Sequence, residues 1–225
     1  MHIEPSIVDG AKITLSYATA TGALGYTAKI AWDMVKTDGA ASLAIRALFS
    51  TALVFFYFQV LPHHPVGVSE VHLIMGSTLF LLFGAAPAAI GLAAGLLLQG
   101  VLFAPIDLPQ YGMNVTSLLG PLFAMALVAR KIIPAKTAYK DIGYGQALQL
   151  STLYQGGIVA WVMFWAFYGQ GFGAANVASV LSFGAAYMTV VIVEPLVDLA
   201  VLACVKTLSG LKDSGLFEKR LHATA

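Results

Sequence analysis

The sequence is poor in charge and has one cysteine among its 225 residues. Charged residues make up 10% of the chain and hydrophobic residues 59%. Because a soluble domain carries roughly 25% charged residues, this composition is typical of an integral membrane protein. The single cysteine excludes a disulfide framework and a cysteine metal cluster. The net charge of +1 gives no indication of nucleic-acid binding.

Common enzyme motifs are also missing from the sequence. It contains no Walker A loop, no GxSxG, no HExxH and no CxxC. We therefore expect a protein that is not an enzyme and does not hydrolyse ATP. The opening MHIEPSIVDG is acidic rather than apolar, so no signal peptide is expected.

The chain contains several long apolar segments. A membrane-spanning helix needs roughly 20 mostly apolar residues. Candidate segments lie at about 12–31, 41–60, 69–85, 86–104, 114–131 and 146–168, and the seventh runs from about 176 to at least 194. We predict an all-α polytopic membrane bundle with about seven transmembrane helices. Residues 1–225 would form one membrane domain, with an N-terminal metal-binding loop (1–11), a transmembrane bundle (12–207) and a cytoplasmic tail (208–225).

The basic residues predict the orientation of this bundle. The segments 61–68, 104–113 and 169–175 contain no Lys or Arg, so with seven spans every basic residue except Lys12 lies on one face. The positive-inside rule then places the C-terminus in the cytoplasm and the N-terminus outside. Six spans with an interfacial first segment would instead leave the N-terminus beside the membrane.

The N-terminal Met1–His2 pair is a potential metal chelator. The free α-amine of Met1, the backbone nitrogen of the Met1–His2 peptide and the nearer imidazole nitrogen can bind one ion. Planar nitrogen sets suit Ni(II) and Cu(II), and imidazole also binds Co(II) and Zn(II). The alternative is that His2 is a chance residue in a frayed tail.

His72 is the histidine placed well inside an apolar segment. Ionisable residues there are costly and usually face a bundle interior or a cavity. It is predicted one to two turns into the third helix, either as a neutral histidine hydrogen-bonded to a neighbour or as a metal ligand. The ligand hypothesis gains because His2 is predicted on the same outer side. Ser69 and Glu70 are near enough to hold the second ring nitrogen of His72.

Other polar residues lie near the same predicted face. Gln99 and Asn114 would line a pocket under the N-terminal loop and hydrogen-bond the ligands, although Asn114 could equally be the N-cap of the fifth helix. His63 and His64 would capture metal loosely or simply belong to an interfacial loop.

Two acidic residues of the seventh segment and two glycines of the fourth are further candidates for a role in function or packing. Glu194 and Asp198 flank Pro195 and are expected near the hydrated cytoplasmic end. They could couple to a cytoplasmic partner, and a proton relay is disfavoured because the sequence shows no titratable partner at mid-depth. Gly91 and Gly95 form a GxxxG pair that favours close helix packing.

Three segments together resemble a known family. They are MHIEP at the start, GVSEVHL in the third segment and QGVLF followed by YGMNV after the fourth. The chain resembles, from residue 1 to about 131, the CbiM/NikM family, the substrate-binding membrane components (S components) of energy-coupling factor (ECF) transporters for cobalt and nickel. The family pattern is an N-terminal Met-His, a GGTSGHL-like segment and a QGLLF segment followed by G-A-N.

This resemblance implies a ligand set. The ion would be held by the α-amine of Met1, the backbone and side-chain nitrogens of His2 and the imidazole of His72. Gln99 and Asn114 would lie near it. The chain has Glu70 and Val71 where the family commonly has Ser-Gly, which leaves the choice between cobalt and nickel open.

The resemblance also implies partners and a location. Co²⁺ or Ni²⁺ would be the transported substrate, taken up across the inner (cytoplasmic) membrane. A CbiQ-like transmembrane scaffold, CbiO-like ABC-type ATPases and a small accessory membrane subunit would complete the transporter. The alternatives are a membrane assembly subunit with incidental histidines and a membrane redox protein.

Overall fold

Seven α helices and one short hairpin make up most of the chain in a computed structural model that describes residues 2–207 and 215–223. The elements are α1 (Ile13–Asp38), α2 (Ala40–Gln59), β1 (His64–Val66), β2 (Ser69–Val71), α3 (Gly76–Phe83), α4 (Ala85–Leu102), α5 (Tyr111–Ile132), α6 (Tyr144–Gln170) and α7 (Ala174–Thr207). The predicted all-α membrane bundle is confirmed. Met1 of the predicted N-terminal loop, and residues 208–214 and 224–225 of the predicted tail, lie outside the described residues.

Five of the described helical segments are long and apolar enough to cross a membrane. They are α2, α4, the stretch Pro105–Ile132 that includes α5, α6 and α7. Helix α1, with 26 residues, has the length, but its apolar residues are diluted by Thr, Ser, Gly and Tyr. At ~1.5 Å per residue, the eight-residue α3 is ~12 Å long and cannot span ~30 Å of hydrocarbon by itself.

The outward faces of the spanning helices are strongly apolar. Leu48, Leu127, Leu181 and Ile192 are each more than 60% exposed. Water would penalise such a surface, whereas lipid tails match it, so these faces fit contact with a bilayer.

The third predicted helix, 69–85, is wrong over its first half. Ser69–Val71 forms β2 and pairs antiparallel with β1, and the helix begins only at Gly76. His72 therefore lies in an extended segment, not one to two turns into a helix as predicted. The strand exists because residues near the N-terminus pair with it: Ile3 bridges Ser69, and the Glu70 amide donates to the His2 carbonyl at 3.1 Å. These bonds satisfy backbone groups that hydrocarbon could not.

The hairpin is also fitted closely against α7. Gly67 in its turn has a φ of +62°, and a Cβ there would lie 2.1 Å from the Ser179 carbonyl oxygen. Any larger residue would push the hairpin away from α7, so glycine is required both by the turn and by the contact.

The predicted GxxxG pair packs inside the bundle. A Cβ on Gly91 would lie 2.1 Å from Ser50 Oγ, and one on Gly95 would lie 2.6 Å from Val54 Cγ1. These glycines let α4 approach α2 closely, as small residues do between membrane helices.

The acidic pair on α7 departs from expectation. Glu194 and Asp198 are fully buried rather than hydrated near a helix end. The helix continues through Pro195 as far as Thr207, so the pair lies well within it and faces the bundle interior.

The two ends of the bundle are covered by different terminal segments. At one end, Arg46 is 1% exposed and pairs with Asp38 at 3.3 Å and Glu218 at 3.2 Å. At the other end, the N-terminal loop meets the α6–α7 connection, where Lys12 Nζ donates to the Gly169 carbonyl at 2.8 Å. The N-terminal loop and the C-terminal segment 215–223 therefore lie at opposite ends.

This arrangement makes the predicted orientation testable. We expect a reporter fused after residue 225 to be cytoplasmic and a tag inserted at the exposed Pro65 of the hairpin to be reachable from outside. Protease protection and impermeant labelling in intact cells provide the measurement. Finding both tags on the same side would rule out an odd number of crossings.

Candidate metal centre

The N-terminal loop is fastened onto the bundle by hydrogen bonds to three other segments. The Ile3 amide donates to Asn114 Oδ1 at 2.9 Å, and Ser69 Oγ donates to the His2 carbonyl at 2.9 Å. Gln110 Nε2 donates to the Pro5 carbonyl at 3.0 Å. Ile3 is completely buried and acts as an apolar anchor. His2 is therefore held in place and does not belong to a frayed tail.

Three metal-ligating side chains meet beneath this loop. His2, Glu70 and His72 each offer one ligand atom, and these atoms all lie within 4.8 Å of one another. Glu70 Oε2 is 2.8 Å from His72 Nε2, and the two imidazole centroids are 5.8 Å apart. The residues come from the loop and from the extended strand, so the short hairpin brings them together.

A second carboxylate approaches from the turn before α5. Asp107 Oδ2 lies 3.2 Å from His2 Nδ1. A cavity of ≈ 10 Å³ lined by His2, Asp107 and Asn114 adjoins this contact. A cavity of this volume has room for about one water molecule.

Both imidazoles are buried and keep unused nitrogen atoms. His2 is 4% exposed and His72 is 2% exposed. Within the described part of the chain, Nε2 of His2 and Nδ1 of His72 have no hydrogen-bond partner, whereas Nδ1 of His2 lies 3.2 Å from Asp107 Oδ2. Burial lowers the pKa of His2 to about 3 and holds the pKa of His72 well below its ordinary value. Burial thus favours the neutral imidazole, which is the form that binds metal.

Aromatic rings form one wall of the site. The ring of His63 stacks on His72 with a centroid separation of 4.9 Å and an interplanar angle of 8°. The ring centroid of Phe58 on α2 lies 5.4 Å from that of His72 and 6.5 Å from that of His2. His64, by contrast, is exposed on β1. The adjacent histidines therefore differ: His63 belongs to the wall and His64 faces outward.

The predicted supporting residues are all close to the site, in roles that partly differ from those expected. Glu70 contacts His72, whereas Ser69 binds the His2 carbonyl instead. Gln99 is buried, and its Oε1 has no partner within the described residues. The alternative of Asn114 as an N-cap is wrong, because α5 begins at Tyr111, directly after the 3-10 turn Pro105–Gln110.

Sequence reasoning missed Asp107 as a site residue. It was visible as a carboxylate in an outer connection, but its contact with His2 spans 105 positions and no local spacing marks it. The metal-ligating role open to Glu70 was likewise hidden, because a helix at 69–85 would have placed its side chain differently.

The cluster can bind a divalent transition metal. Imidazole nitrogen suits Co, Ni, Cu and Zn, and the carboxylates offset the charge of the ion in a dry environment. A polytopic helical membrane protein with a buried histidine–carboxylate site is the class that this fold and geometry define.

Comparison with known proteins identifies the family. The chain belongs to the CbiM family, described as the cobalt uptake substrate-specific transmembrane region, whose model matches residues 2–210. The predicted membership is confirmed, and the chain is a multi-pass membrane component of metal uptake.

One solved structure has the same fold. A truncated transition metal transporter matches with a TM-score of 0.63 and 18% identity, over 92% of this chain and 99% of that one. At this identity the likeness concerns the fold. None of the curated proteins matches the chain.

Proposed function

We propose that the chain is the substrate-binding membrane component of an ECF-type transporter that takes up Co²⁺ or Ni²⁺. The observation that carries this proposal is the pair of buried, neutral imidazoles with unused nitrogens under an anchored N-terminal loop. Buried polar atoms normally have partners, so unused nitrogens that converge on one spot favour a bound ion. Membership of a cobalt-uptake family supports the same substrate class.

The proposed ligands are the α-amine of Met1, the backbone and Nδ1 nitrogens of His2, and His72. Glu70 already occupies His72 Nε2 at 2.8 Å, so Nδ1 of His72 is the nitrogen left for the ion. A carboxylate that accepts from the second ring nitrogen orients a ligating imidazole and raises its basicity. Ser69 and Asn114 fix the loop that carries His2.

Asp107 adds negative charge next to His2. Its carboxylate lies 3.2 Å from His2 Nδ1, the nitrogen that the N-terminal chelate uses. We propose that it moves aside from Nδ1 when the ion binds and remains close enough to stabilise the positive charge.

The proposed partners supply what this chain lacks. Without a Walker A loop it needs separate ABC-type ATPases (CbiO-like), a transmembrane scaffold (CbiQ-like) and a small accessory membrane subunit. The inner (cytoplasmic) membrane, with the N-terminal loop outside, is the proposed location. One side of α1 is open for such a partner, since nothing lies within 4 Å of a Cβ placed on Gly22 or Gly25.

Metal content tests this function. We expect the purified protein with its native N-terminus, dialysed against Co²⁺ or Ni²⁺ and then freed of unbound ion, to retain about one metal per chain by elemental analysis. An assembly subunit would retain no stoichiometric metal, and a haem protein would show a visible absorption band in the metal-free preparation. Either result would contradict the proposal.

A further inference from the structure

A second polar cluster, formed by residues other than the proposed metal ligands, lies in the interior of the helical bundle. Glu194 and Asp198 are fully buried on α7, one turn apart. They face Ser77 and Thr78 at the start of α3. Ionisable residues at such depth are rare in membrane proteins and mark functional sites.

Hydroxyl and amide groups surround both acids. Ser77 Oγ lies 3.0 Å from Glu194 Oε1 and 2.8 Å from Asp198 Oδ2. The Thr78 hydroxyl contacts Asp198 Oδ1. From α6, Ser151 Oγ lies 3.2 Å from Glu194 Oε2, and the Gln155 side-chain amide contacts the same oxygen. Every carboxyl oxygen of the pair therefore has a hydrogen-bonding neighbour.

The bridge through Ser77 is fully satisfied when the pair holds one extra proton. A serine hydroxyl carries one hydrogen, so between two ionised acids it makes one full hydrogen bond or shares that hydrogen between both. When the second acid is protonated, it donates to Ser77 Oγ, and both contacts become full hydrogen bonds.

No basic group near the pair can take the place of that proton. The titratable groups that face it are Tyr57 of α2, Tyr154 of α6 and Tyr187 of α7. The side-chain hydrogen bonds of both acids in residues 2–207 and 215–223 come from serine, threonine and glutamine, and none comes from a lysine, arginine or histidine. Two ionised carboxylates this close would repel each other without compensation.

An unpaired buried oxygen points to the same site. Gln155 is fully buried, and its Oε1 has no hydrogen-bond partner among the described residues. It belongs to the amide whose nitrogen contacts Glu194, so it lies beside that carboxyl group. The hydroxyls of Tyr154 and Tyr187 are likewise buried without a described hydrogen-bond partner. Spare donors and acceptors around one carboxyl allow the hydrogen bonds to rearrange when a proton arrives or leaves.

We propose that Glu194 and Asp198 form an intramembrane proton-binding site that holds one proton shared through Ser77 at neutral pH. Protons rather than a metal cation suit it, because all four carboxyl oxygens already contact hydrogen-bond donors or Ser77. The site joins α7 to α3 and α6, and α3 follows the segment that carries His72. The proton site does not depend on the function proposed for the metal centre.

Infrared spectroscopy of the full-length protein in detergent tests this site. At pH 7, in a buffer whose only added salt is choline chloride, the wild type should show the carbonyl stretch of a protonated carboxyl group. Exposed acids are ionised at this pH and do not contribute. The band should shift in D₂O and disappear in the double variant Glu194→Gln/Asp198→Asn. It should persist in the matched control Asp33→Asn, which removes a half-exposed acid of α1.

Two further measurements keep the test decisive. Replacing choline by Na⁺, or adding Mg²⁺, should leave the band in place, and its loss would make the pair a cation site instead. Ser77→Ala keeps both acids but removes the bridging hydroxyl, so the band should move in frequency even if the double variant fails to fold. A wild type without the band, or a Ser77→Ala band that does not move, would overturn the proposal.

Discussion

A single residue added before Met1 should reduce metal affinity by more than a hundredfold. The extension converts the α-amine of Met1 into a peptide nitrogen and moves His2 to the third position, so the new terminal amine no longer lies where it can share an ion with His2 and His72. A terminus with histidine third chelates Ni²⁺ and Cu²⁺ strongly by itself, so the comparison uses Co²⁺. Losing ligands from such a site costs on the order of 3 kcal/mol or more, which is about two powers of ten in Kd. The measurement is metal content and Kd for the native and extended chains, with His2→Ala as the reference for loss of the site.

The contacts that hold His2 in place are independent of the α-amine of Met1. His2 is held through its backbone carbonyl by Ser69 Oγ and by the Glu70 amide, and neither bond involves the α-amine. The extension therefore removes one ligand while the buried side chains stay held. The same residue added at the C-terminus is the control and should have no effect. If the extended chain binds metal like the native one, the amine is not a ligand, and His63, Glu70 and His72 become the set to test with His2.

His72→Ala should abolish stoichiometric metal retention while the protein still folds. The substitution removes the imidazole whose ring centroid lies 5.8 Å from that of His2. The polar pocket left behind can admit water, which limits the loss of stability. Metal content by elemental analysis measures the effect, and thermal unfolding checks the fold.

Two further variants serve as controls for His72→Ala. His64→Ala removes an exposed histidine from the same hairpin and should leave metal content unchanged. Glu70→Gln keeps the size of the side chain but removes the charge on the carboxylate that holds His72 Nε2, so it should weaken binding about 10- to 100-fold. Full metal content in His72→Ala would remove His72 from the site.

The membrane class and much of the helix pattern could be predicted from the sequence. A chain that is 10% charged and 59% hydrophobic cannot present a polar surface, so burial in lipid follows from composition alone. Six of the seven predicted segments overlap a long helix, because a helix satisfies its own backbone within one apolar segment. His2 and His72 could also be predicted as candidate ligands, because His2 directly follows the N-terminal Met1 and His72 lies in an apolar segment.

Only the tertiary structure decided what those residues touch. The segment 69–71 reads as part of an apolar helix, and its strand forms because residues 2–4, more than 60 positions away, supply hydrogen-bond partners. Local propensity contains no information about such a partner. The same pairing turns Glu70 toward His72 and brings His2 to Asp107.

For the acidic pair on α7, too, the sequence predicts the spacing of the residues and only the packing decides their surroundings. The sequence places Glu194 and Asp198 four positions apart and therefore on one helical face. It does not say which face of the bundle that is, because burial depends on how α3 and α6 pack against α7. The hydroxyls of Ser77 and Ser151 are distant in sequence and meet the acids only in the folded bundle. Composition and periodicity thus determined where the protein lies, whereas contacts between distant segments, set by packing and by the need to satisfy buried polar groups, decided its sites.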